Sequence, residues 1–213
     1  MKDLKPTCRI AVVQAAPVLF DKSACTDKAV RLIAECARSG AELIVFPELF
    51  IPGYPYGMTF GFTVVDTPWG PMGSLICWES YMPLARTALY EKGVTLYISP
   101  NTNDNPEWQA TVQHIALEGR CYFINCDMVF HRADYPAGLH CPEELARLSD
   151  IPCRGGSCIV DPYGHYVVQP VWDSEDILYA DLDMQRVPAS RMELDVCGHY
   201  ARPDVLRLTV QDA

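Results

Sequence analysis

The order of apolar and polar positions in the first fifty residues predicts a strand, a helix and a second strand. Cys8 to Gln14 is a continuous apolar run of strand length, and Leu43 to Phe46 is a second one. Between them, Ser23 to Ser39 has apolar residues at helical spacing, and Gly40 ends the pattern. The predicted buried face of this helix consists of Ala29, Leu32, Ile33 and Cys36. The pattern indicates a β-α-β unit.

Strands and helices continue to alternate through the middle of the chain. The segment Pro68-Trp-Gly-Pro71 is a turn between two short strands, and Asn105-Pro106-Glu107 has the cap residue and proline typical of a helix start. A second β-α-β-like unit follows. The predicted strands are Val64–Thr67, Gly73–Cys77, Thr95–Ser99 and Cys121–Cys126, and the predicted helices are Pro83–Lys92 and one from near Asn105 to near Gly119.

The last third of the chain has a different pattern. Residues 130–154 are rich in Pro, His, Asp and Gly, which predicts a long surface segment with a short helix around Glu143 to Leu148. Hairpin signals follow, and the tail from Asp195 to Val210 is predicted to be extended. The predicted late strands are Ser157–Val160, His165–Val171 and Ile177–Leu182. The whole pattern indicates a mixed α/β layer fold with antiparallel late strands.

Composition and charge narrow the class of protein. With 213 residues, 49% apolar and 21% charged, the chain is predicted to be one soluble domain over residues 1–213. A net charge of −10 argues against nucleic acid and against an anionic membrane surface as partners. The apolar stretch from Ile10 to Val13 is too short for a signal peptide or membrane span, so we expect a cytoplasmic protein.

The ten cysteines do not form a disulfide or zinc pattern. They are spread from Cys8 to Cys197, and no Cys-x-x-Cys is present. We therefore expect reduced thiols and no metal, and context must single out any catalytic cysteine.

Cys77 has such a context. It stands at the end of an apolar run and immediately before a turn, where a strand delivers a thiol to a pocket, and Glu48 ends another apolar run. We predict Cys77 as a thiol nucleophile and Glu48 as its general base, which would raise the thiolate fraction of Cys77 by accepting its proton. Glu79 either orients the site or is a helix-start charge. Trp78 and Tyr54 are predicted to line or support the pocket.

Five motifs, in order, resemble the nitrilases of the carbon–nitrogen hydrolase superfamily. The Cys-Trp-Glu tripeptide is more similar to the nitrilase and cyanide-hydrolysing branch than to the amidase branches, and the resemblance covers nearly the whole chain. The motifs are Val45-Phe-Pro-Glu-Leu-Phe-Ile-Pro-Gly-Tyr-Pro55, Leu75-Ile-Cys-Trp-Glu-Ser-Tyr-Met-Pro83, Trp108-Gln-Ala with His114-Ile-Ala-Leu-Glu-Gly-Arg-Cys121, Cys153-Arg-Gly-Gly-Ser-Cys-Ile-Val-Asp-Pro162 and Gly198-His-Tyr-Ala-Arg-Pro-Asp204.

The resemblance implies a four-layer αββα sandwich, a homo-oligomer, and hydrolysis of a small-molecule nitrile without a cofactor. It also implies a catalytic Glu, Lys and Cys, of which Glu48 and Cys77 match two. The sequence has no lysine between Glu48 and Cys77, and its match to the family jumps near Gly61 and Phe62. The segment carrying the lysine is therefore absent, and we expect poor catalysis and uncovered apolar surface on Ile44, Phe46, Leu75 and Ile76.

Two other functions remain open at the level of the sequence. In the first, the chain is a non-catalytic product of an internal deletion, which persists as a misfolded chain or as a partner of full-length subunits. In the second, it is an amide or carbamoyl hydrolase of the same superfamily. The missing lysine favours the first of these alternatives, and Trp78 disfavours the second.

Overall fold

The structure, a computed structural model, describes residues 4–51, 63–102, 105–139 and 141–211. Within those ranges the strands are β1 Thr7–Gln14, β2 Leu43–Val45, β3 Val64–Thr67, β4 Gly70–Ser74, β5 Leu96–Asn101, β6 Tyr122–Asp127, β7 Val129–Phe130, β8 Cys153–Val160, β9 Tyr166–Trp172 and β10 Asp176–Asp183. The helices are α1 Lys22–Arg38, α2 Pro83–Glu91, α3 Trp108–Gly119, α4 Pro142–Arg147 and α5 Arg186–Glu193, with 3-10 helices at Cys77–Tyr81 and Arg132–Asp134.

The first sheet has three strands in the order β10-β1-β2. β1 runs parallel to β2, as the β-α-β pattern predicted, and antiparallel to β10. The connecting helix α1 begins at Asp21, whose side chain accepts a hydrogen bond of 2.9 Å from the backbone N–H of Ala24.

The second sheet is larger, with the order β3-β4-β5-β6-β8-β7 and with β9 also paired to β8. β4, β5 and β6 are parallel, joined by α2 and α3 as crossover helices. The β-α-β prediction for β5 and β6 is confirmed. The predicted antiparallel character of the late strands is also confirmed, because β8 pairs antiparallel with β6 and β9, and β10 with β1.

The two sheets pack face to face and each outer face is covered by helices. The layers are α1, the three-stranded sheet, the seven-stranded sheet, and α2 with α3, which confirms the predicted αββα sandwich. The core between the sheets includes Ile10, Val12, Leu96, Ile98, Tyr122 and Ile124. The α1 layer is held by Ala11, Val13, Leu32 and Cys36, and the α2 and α3 layer by Leu89, Tyr97, Val112 and Ile115.

The strand that precedes Cys77 differs from its prediction. β4 begins at Gly70 and ends at Ser74, three residues earlier at each end than expected, and Cys77 begins a 3-10 helix. The early start has a steric reason: Gly70 has a φ of +104°, and a Cβ there would lie 2.6 Å from the Thr95 Oγ1 atom. Only glycine fits the start of this strand.

Other sequence expectations need correction as well. Ile33 was predicted on the buried face of α1 but is 45% exposed. Helix α5 was not predicted, because it buries only Val187 and Ser190 and its apolar pattern is weak. The tail predicted as extended forms no strand within residues 195–211 and contains turns instead, for example from Arg202 to Val205.

The apolar surface expected to be uncovered is only partly exposed. Leu75 is 1% exposed, so that part of the prediction is wrong, whereas Ile76 is 46% exposed as expected. Ile44 and Phe46 are partly buried because they pack against the cluster beneath α1.

Candidate active site

Three strand ends bring the predicted nucleophile and base together. Glu48 follows β2 of the first sheet, Cys77 follows β4 of the second sheet, and Thr102 follows the neighbouring β5. The Cys77 thiol has a hydrogen-bonding interaction with the Glu48 carboxylate. The structure thus places the two residues side by side, although they come from different sheets.

The backbone at Cys77 is unusual. Its φ is +49°, in the left-handed region that non-glycine residues rarely adopt. Such strain persists where the surrounding structure fixes the residue, and it clusters at functional sites. At this position it turns the chain from β4 into the 3-10 helix and presents the thiol next to Glu48.

The pKa of the Cys77 thiol is raised to about 11. Burial of the thiol is the main cause, and the negative charge of Glu48 adds to it. The backbone N–H groups of Thr102 and Trp78 act in the opposite direction, since they hydrogen-bond to the sulfur and stabilise the thiolate. The expectation that Glu48 raises the thiolate fraction is therefore wrong for the resting site: its charge lowers that fraction.

The pKa of the Glu48 carboxyl is raised too. Burial is the largest cause, the hydrogen bond from Cys77 lowers the pKa, and the charge of Glu79 raises it again. One carboxylate oxygen, Oε2, is buried and has no hydrogen-bond partner among the described residues. A buried unpartnered oxygen of this kind is costly, and it marks a place where no described residue supplies a donor.

No positive charge compensates this pair within the part of the chain that the structure describes. Among the described residues, the charges that shift the two pKa values are the negative ones of Glu48 and Glu79, and both raise them. The chain has five lysines. Lys5 pairs with Glu42 and Lys28 pairs with Glu175, and Lys92 is the C-cap residue of α2, where its backbone N–H donates to the Tyr90 carbonyl oxygen.

Of the supporting residues predicted from the sequence, the structure describes Glu79 and Trp78. The Glu79 carboxylate accepts a hydrogen bond of 2.8 Å from the backbone N–H of Ile76 and so caps the 3-10 helix, in agreement with the helix-start interpretation. The Trp78 side chain is 70% exposed, and its backbone N–H rather than its ring interacts with Cys77. Tyr54 lies outside the described residues.

A buried polar network holds the 3-10 helix from below. Ser80 is fully buried, and its hydroxyl lies 3.4 Å from the Leu75 carbonyl oxygen, 3.4 Å from the Ser99 hydroxyl and 3.2 Å from the Tyr97 hydroxyl. The Arg86 guanidinium donates to the Ser80 carbonyl oxygen at 3.0 Å. The network therefore ties the helix that carries Cys77 to strand β5.

The same network extends toward Thr102. Asn101, the last residue of β5, donates to the Asn125 side-chain oxygen at 2.7 Å, and the Trp108 indole N–H donates to that oxygen at 2.9 Å. Ser99 lies two residues earlier, where its backbone oxygen accepts a bond of 2.7 Å from Asn101. Both backbone donors at Cys77 are thus attached to one buried hydrogen-bonded framework.

Sequence reasoning missed Thr102, Ser80 and Ser99. The predicted strand ended at Ser99, three residues before Thr102, whereas the observed β5 continues to Asn101. A signal for the two serines was present: hydroxyls placed inside otherwise apolar segments must find partners when buried. Their partners lie on different elements, which a single segment does not reveal.

Two further observations concern other classes of site. Within the described ranges, no cluster of three or more His, Cys, Asp or Glu side chains is arranged to hold a metal ion. The helices of the same ranges include none with the length and apolar character that crossing a membrane requires.

Comparison with known proteins identifies the family. The family model for carbon-nitrogen hydrolases matches residues 9–60 and 55–192. An aliphatic nitrilase from Sinorhizobium fredii is 34% identical, with 96% of each chain covered. The bifunctional nitrilase/nitrile hydratase NIT4B of Nicotiana tabacum is 32% identical over 97% of this chain and 87% of its own.

The relatives have residues that this chain lacks. The alignment with the aliphatic nitrilase extends over 299 positions, although this chain has 213 residues. The two segments matched by the family model meet at residues 55–60, close to the predicted break at Gly61 and Phe62. An internal segment is therefore absent from this chain.

Solved structures have the same fold. Nit3 of Saccharomyces cerevisiae, a member of branch 10 of the nitrilase superfamily, superposes with a TM-score of 0.74 at 18% identity, covering 94% of this chain and 98% of its own. The NitFhit protein of C. elegans gives 0.76 at 17% identity, covering 98% of this chain and 68% of its own. The family match and the two curated relatives show that this chain belongs to the carbon–nitrogen hydrolase family, in the nitrilase superfamily.

Proposed function

We propose that this chain is a nitrilase-type hydrolase that converts a small nitrile and two waters to a carboxylic acid and ammonia through a thioimidate on Cys77, and that it does so slowly. The observation that carries the proposal is the contact of the Cys77 thiol with the Glu48 carboxylate, flanked by the backbone N–H groups of Thr102 and Trp78. A nucleophile, a base and fixed donors are the parts that acyl-transfer chemistry requires.

The first step uses Glu48 as the base. As the sulfur attacks the nitrile carbon, the thiol proton passes to Glu48, and the two backbone N–H groups stabilise the negative charge on the sulfur before attack. The carbon–nitrogen π bond breaks toward nitrogen, and that nitrogen receives the proton from Glu48. The product of this step is a neutral thioimidate bound to Cys77.

Two waters complete the reaction. Glu48 takes a proton from the first water as it adds to the thioimidate carbon, and it passes this proton to the nitrogen to give a tetrahedral amine. The proton of the new hydroxyl group then moves through Glu48 to the same nitrogen, the carbon–nitrogen bond breaks, and ammonia leaves as the carbonyl forms. A thioester remains on Cys77. The second water attacks it in the same way, the carbon–sulfur bond breaks, and the carboxylic acid and the free thiol are released.

The electrostatics of the site support slow turnover. With a thiol pKa of about 11, the thiolate fraction is about one in ten thousand near pH 7. The Glu48 Oε2 atom has no donor among the described residues, and no described cation offsets the charge that develops. Loss of one such preorganised donor typically costs about two to three orders of magnitude in turnover.

The nitrile assignment is favoured over an amide by the names of the similar proteins and by the Cys77-Trp-Glu tripeptide. The aliphatic nitrilase and NIT4B are nitrile-processing enzymes by name. We extend that substrate class to this chain as part of the proposal, together with assembly into a homo-oligomer.

Ammonia release from paired nitriles and amides tests the proposal. The chain is incubated with propionitrile, benzonitrile and phenylacetonitrile, and separately with the three matching amides. We expect weak release from at least one nitrile, loss of that release in Cys77→Ala and Glu48→Gln, and no loss in Cys141→Ala, which changes a partly exposed cysteine.

Two results would count against the proposal. Release from amides alone would assign an amidase, and release unaffected by Cys77→Ala would remove Cys77 as the nucleophile. Complete absence of release from every nitrile by a cooperatively folded chain would assign the non-catalytic product of an internal deletion.

A further inference from the structure

A cavity of about 600 Å³ lies at the opposite end of the sandwich from Cys77. Its wall includes Pro71, near the start of β4, and Thr95, just before β5, whereas Cys77 and Thr102 follow the other ends of those strands. Thr95 and Thr102 are separated by the length of β5, which is about 20 Å. The cavity volume is in the range of small-molecule sites, and the cavity is separate from the candidate active site.

The charge of the cavity wall differs from that of the protein. The chain carries a net charge of −10, yet the described residues that line this cavity include no aspartate or glutamate. They do include Lys5, Arg191 and His199. Lys5 is already paired with Glu42 at 2.7 Å, so Arg191 and His199 are the basic side chains that this wall offers to an anionic ligand.

Arg191 supplies the anchoring group. Its Nη2 atom donates to the Val94 carbonyl oxygen at 2.7 Å and to the Gly93 carbonyl oxygen at 3.4 Å, which fixes the guanidinium in place. Its other two nitrogens donate to no group among the described residues. A guanidinium held at one nitrogen and free at two is suited to a carboxylate, which has two oxygens to accept the remaining hydrogen bonds.

Trp69 provides a second, independent observation. It lines the cavity and is 8% exposed, and its indole Nε1 atom is buried with no hydrogen-bond partner among the described residues. Buried indole N–H groups normally have an acceptor. The Lys5 Nζ atom, which pairs with Glu42, lies 5.6 Å from the centre of the Trp69 ring and helps to hold the ring in place.

The rest of the wall is largely apolar, with Leu4, Met184, Val187 and Met192 among its members. We propose that this cavity binds a small monocarboxylate with an apolar body. The carboxylate binds Arg191 and accepts from the Trp69 indole, and the apolar body packs between Trp69 and the two methionines. The site is independent of the proposed hydrolysis, since none of these residues contacts Cys77 or Glu48.

Calorimetric titration of the full chain with phenylacetate tests this proposal. Phenylacetamide, which has the same shape without the charge, is the matched ligand. We expect phenylacetate to bind and phenylacetamide to bind at least roughly tenfold more weakly, because the charge-assisted bonds to Arg191 are lost. Equal binding of the two compounds, or no binding of phenylacetate up to about 10 mM, would overturn the proposal.

Variants localise the binding. Arg191→Gln and Trp69→Phe are each expected to weaken phenylacetate binding, whereas Arg207→Gln and Trp172→Phe, which make the same changes elsewhere, leave it unchanged. Trp69→Phe removes an N–H that has no partner among the described residues. Because no hydrogen bond of the free chain is lost in this way, we expect no fall in the thermal unfolding temperature from that cause. Unchanged binding in both Arg191→Gln and Trp69→Phe would remove the site.

Methyl NMR of labelled methionines distinguishes this cavity from the active site. Phenylacetate is expected to shift the Met184 methyl signal and leave that of Met82, at the end of the Cys77 turn, unchanged. The reverse result would place the carboxylate near Cys77 and contradict the proposed site, without bearing on nitrile hydrolysis.

Discussion

The surroundings of Cys77 and of Glu48 differ in how well their polar groups are satisfied. Beneath Cys77, the Ser80 hydroxyl and carbonyl oxygen, the Tyr97 hydroxyl and the Arg86 guanidinium are joined by hydrogen bonds. At Glu48, one buried carboxylate oxygen has no partner among the described residues. Among the described residues, the framework that positions the thiol is hydrogen-bonded throughout, whereas no positive group lies at the carboxylate. This contrast is the basis for the proposal that the missing internal segment affects the charge of the site more than the placement of its nucleophile.

The largest expected effect concerns the pH dependence of Cys77. Its pKa is raised to about 11 by burial and by Glu48, so the thiolate forms only as the pH rises toward that value. Alkylation of Cys77 by iodoacetamide should become about a thousandfold faster between about pH 7 and pH 10. Peptide mass spectrometry measures the rate at this one cysteine.

A variant of Glu48 sharpens this prediction. Glu48→Gln removes the negative charge that raises the thiol pKa, so the midpoint of the alkylation profile should move to lower pH. Glu107→Gln, a change at an exposed carboxylate, is the control. A wild-type midpoint below about 9, the ordinary thiol value, would show that the charge of Glu48 is compensated by a group outside the described residues.

The hydrogen-bonded network beneath Cys77 is tested by a variant of Ser80. Ser80→Ala leaves the Tyr97 hydroxyl buried without its partner, and we expect the free energy of unfolding to fall by about 1–3 kcal/mol in urea titrations. The double variant Ser80→Ala with Tyr97→Phe removes both partners and should recover part of that loss. A double variant as unstable as the sum of the two single ones would mean that the hydroxyls do not interact.

The smallest expected effect is at Glu79. Glu79→Ala removes the acceptor for the Ile76 N–H and should cost about 1 kcal/mol of unfolding free energy, whereas Glu79→Gln keeps an acceptor and should cost less. Thermal or urea unfolding measures the difference. Equal losses in both variants would show that the carboxylate charge, rather than the cap, is the stabilising feature.

Much of the fold was predictable from the sequence, because the local spacing of apolar residues defines several of its strands and helices. The run Cys8 to Gln14 and the helical spacing after it gave β1 and α1 within one residue at each end. The start of β4 was not predictable locally, because Gly70 is required by its approach to Thr95 on a distant strand. Helix α5 buries too few side chains to produce a clear apolar period.

The candidate site was predictable only in part. Glu48 and Cys77 stand out because each ends an apolar run within a recognisable motif. The elevated pKa of Cys77 was not predictable, since its main cause is burial by residues far apart in the sequence. The same holds for Thr102, whose backbone N–H acts at the sulfur only because β4 and β5 are neighbours.

The most direct test of the central claim is ammonia release from nitriles by two versions of the chain. In one, a family segment bearing the lysine is inserted between Gly61 and Phe62, and in its control that lysine is changed to methionine. We expect the lysine version to exceed both its control and the unmodified chain by about two to three orders of magnitude in turnover, because it supplies the missing donor beside Glu48. Equal turnover by the lysine and methionine versions, or rapid turnover by the unmodified chain that Cys77→Ala abolishes, would contradict the account.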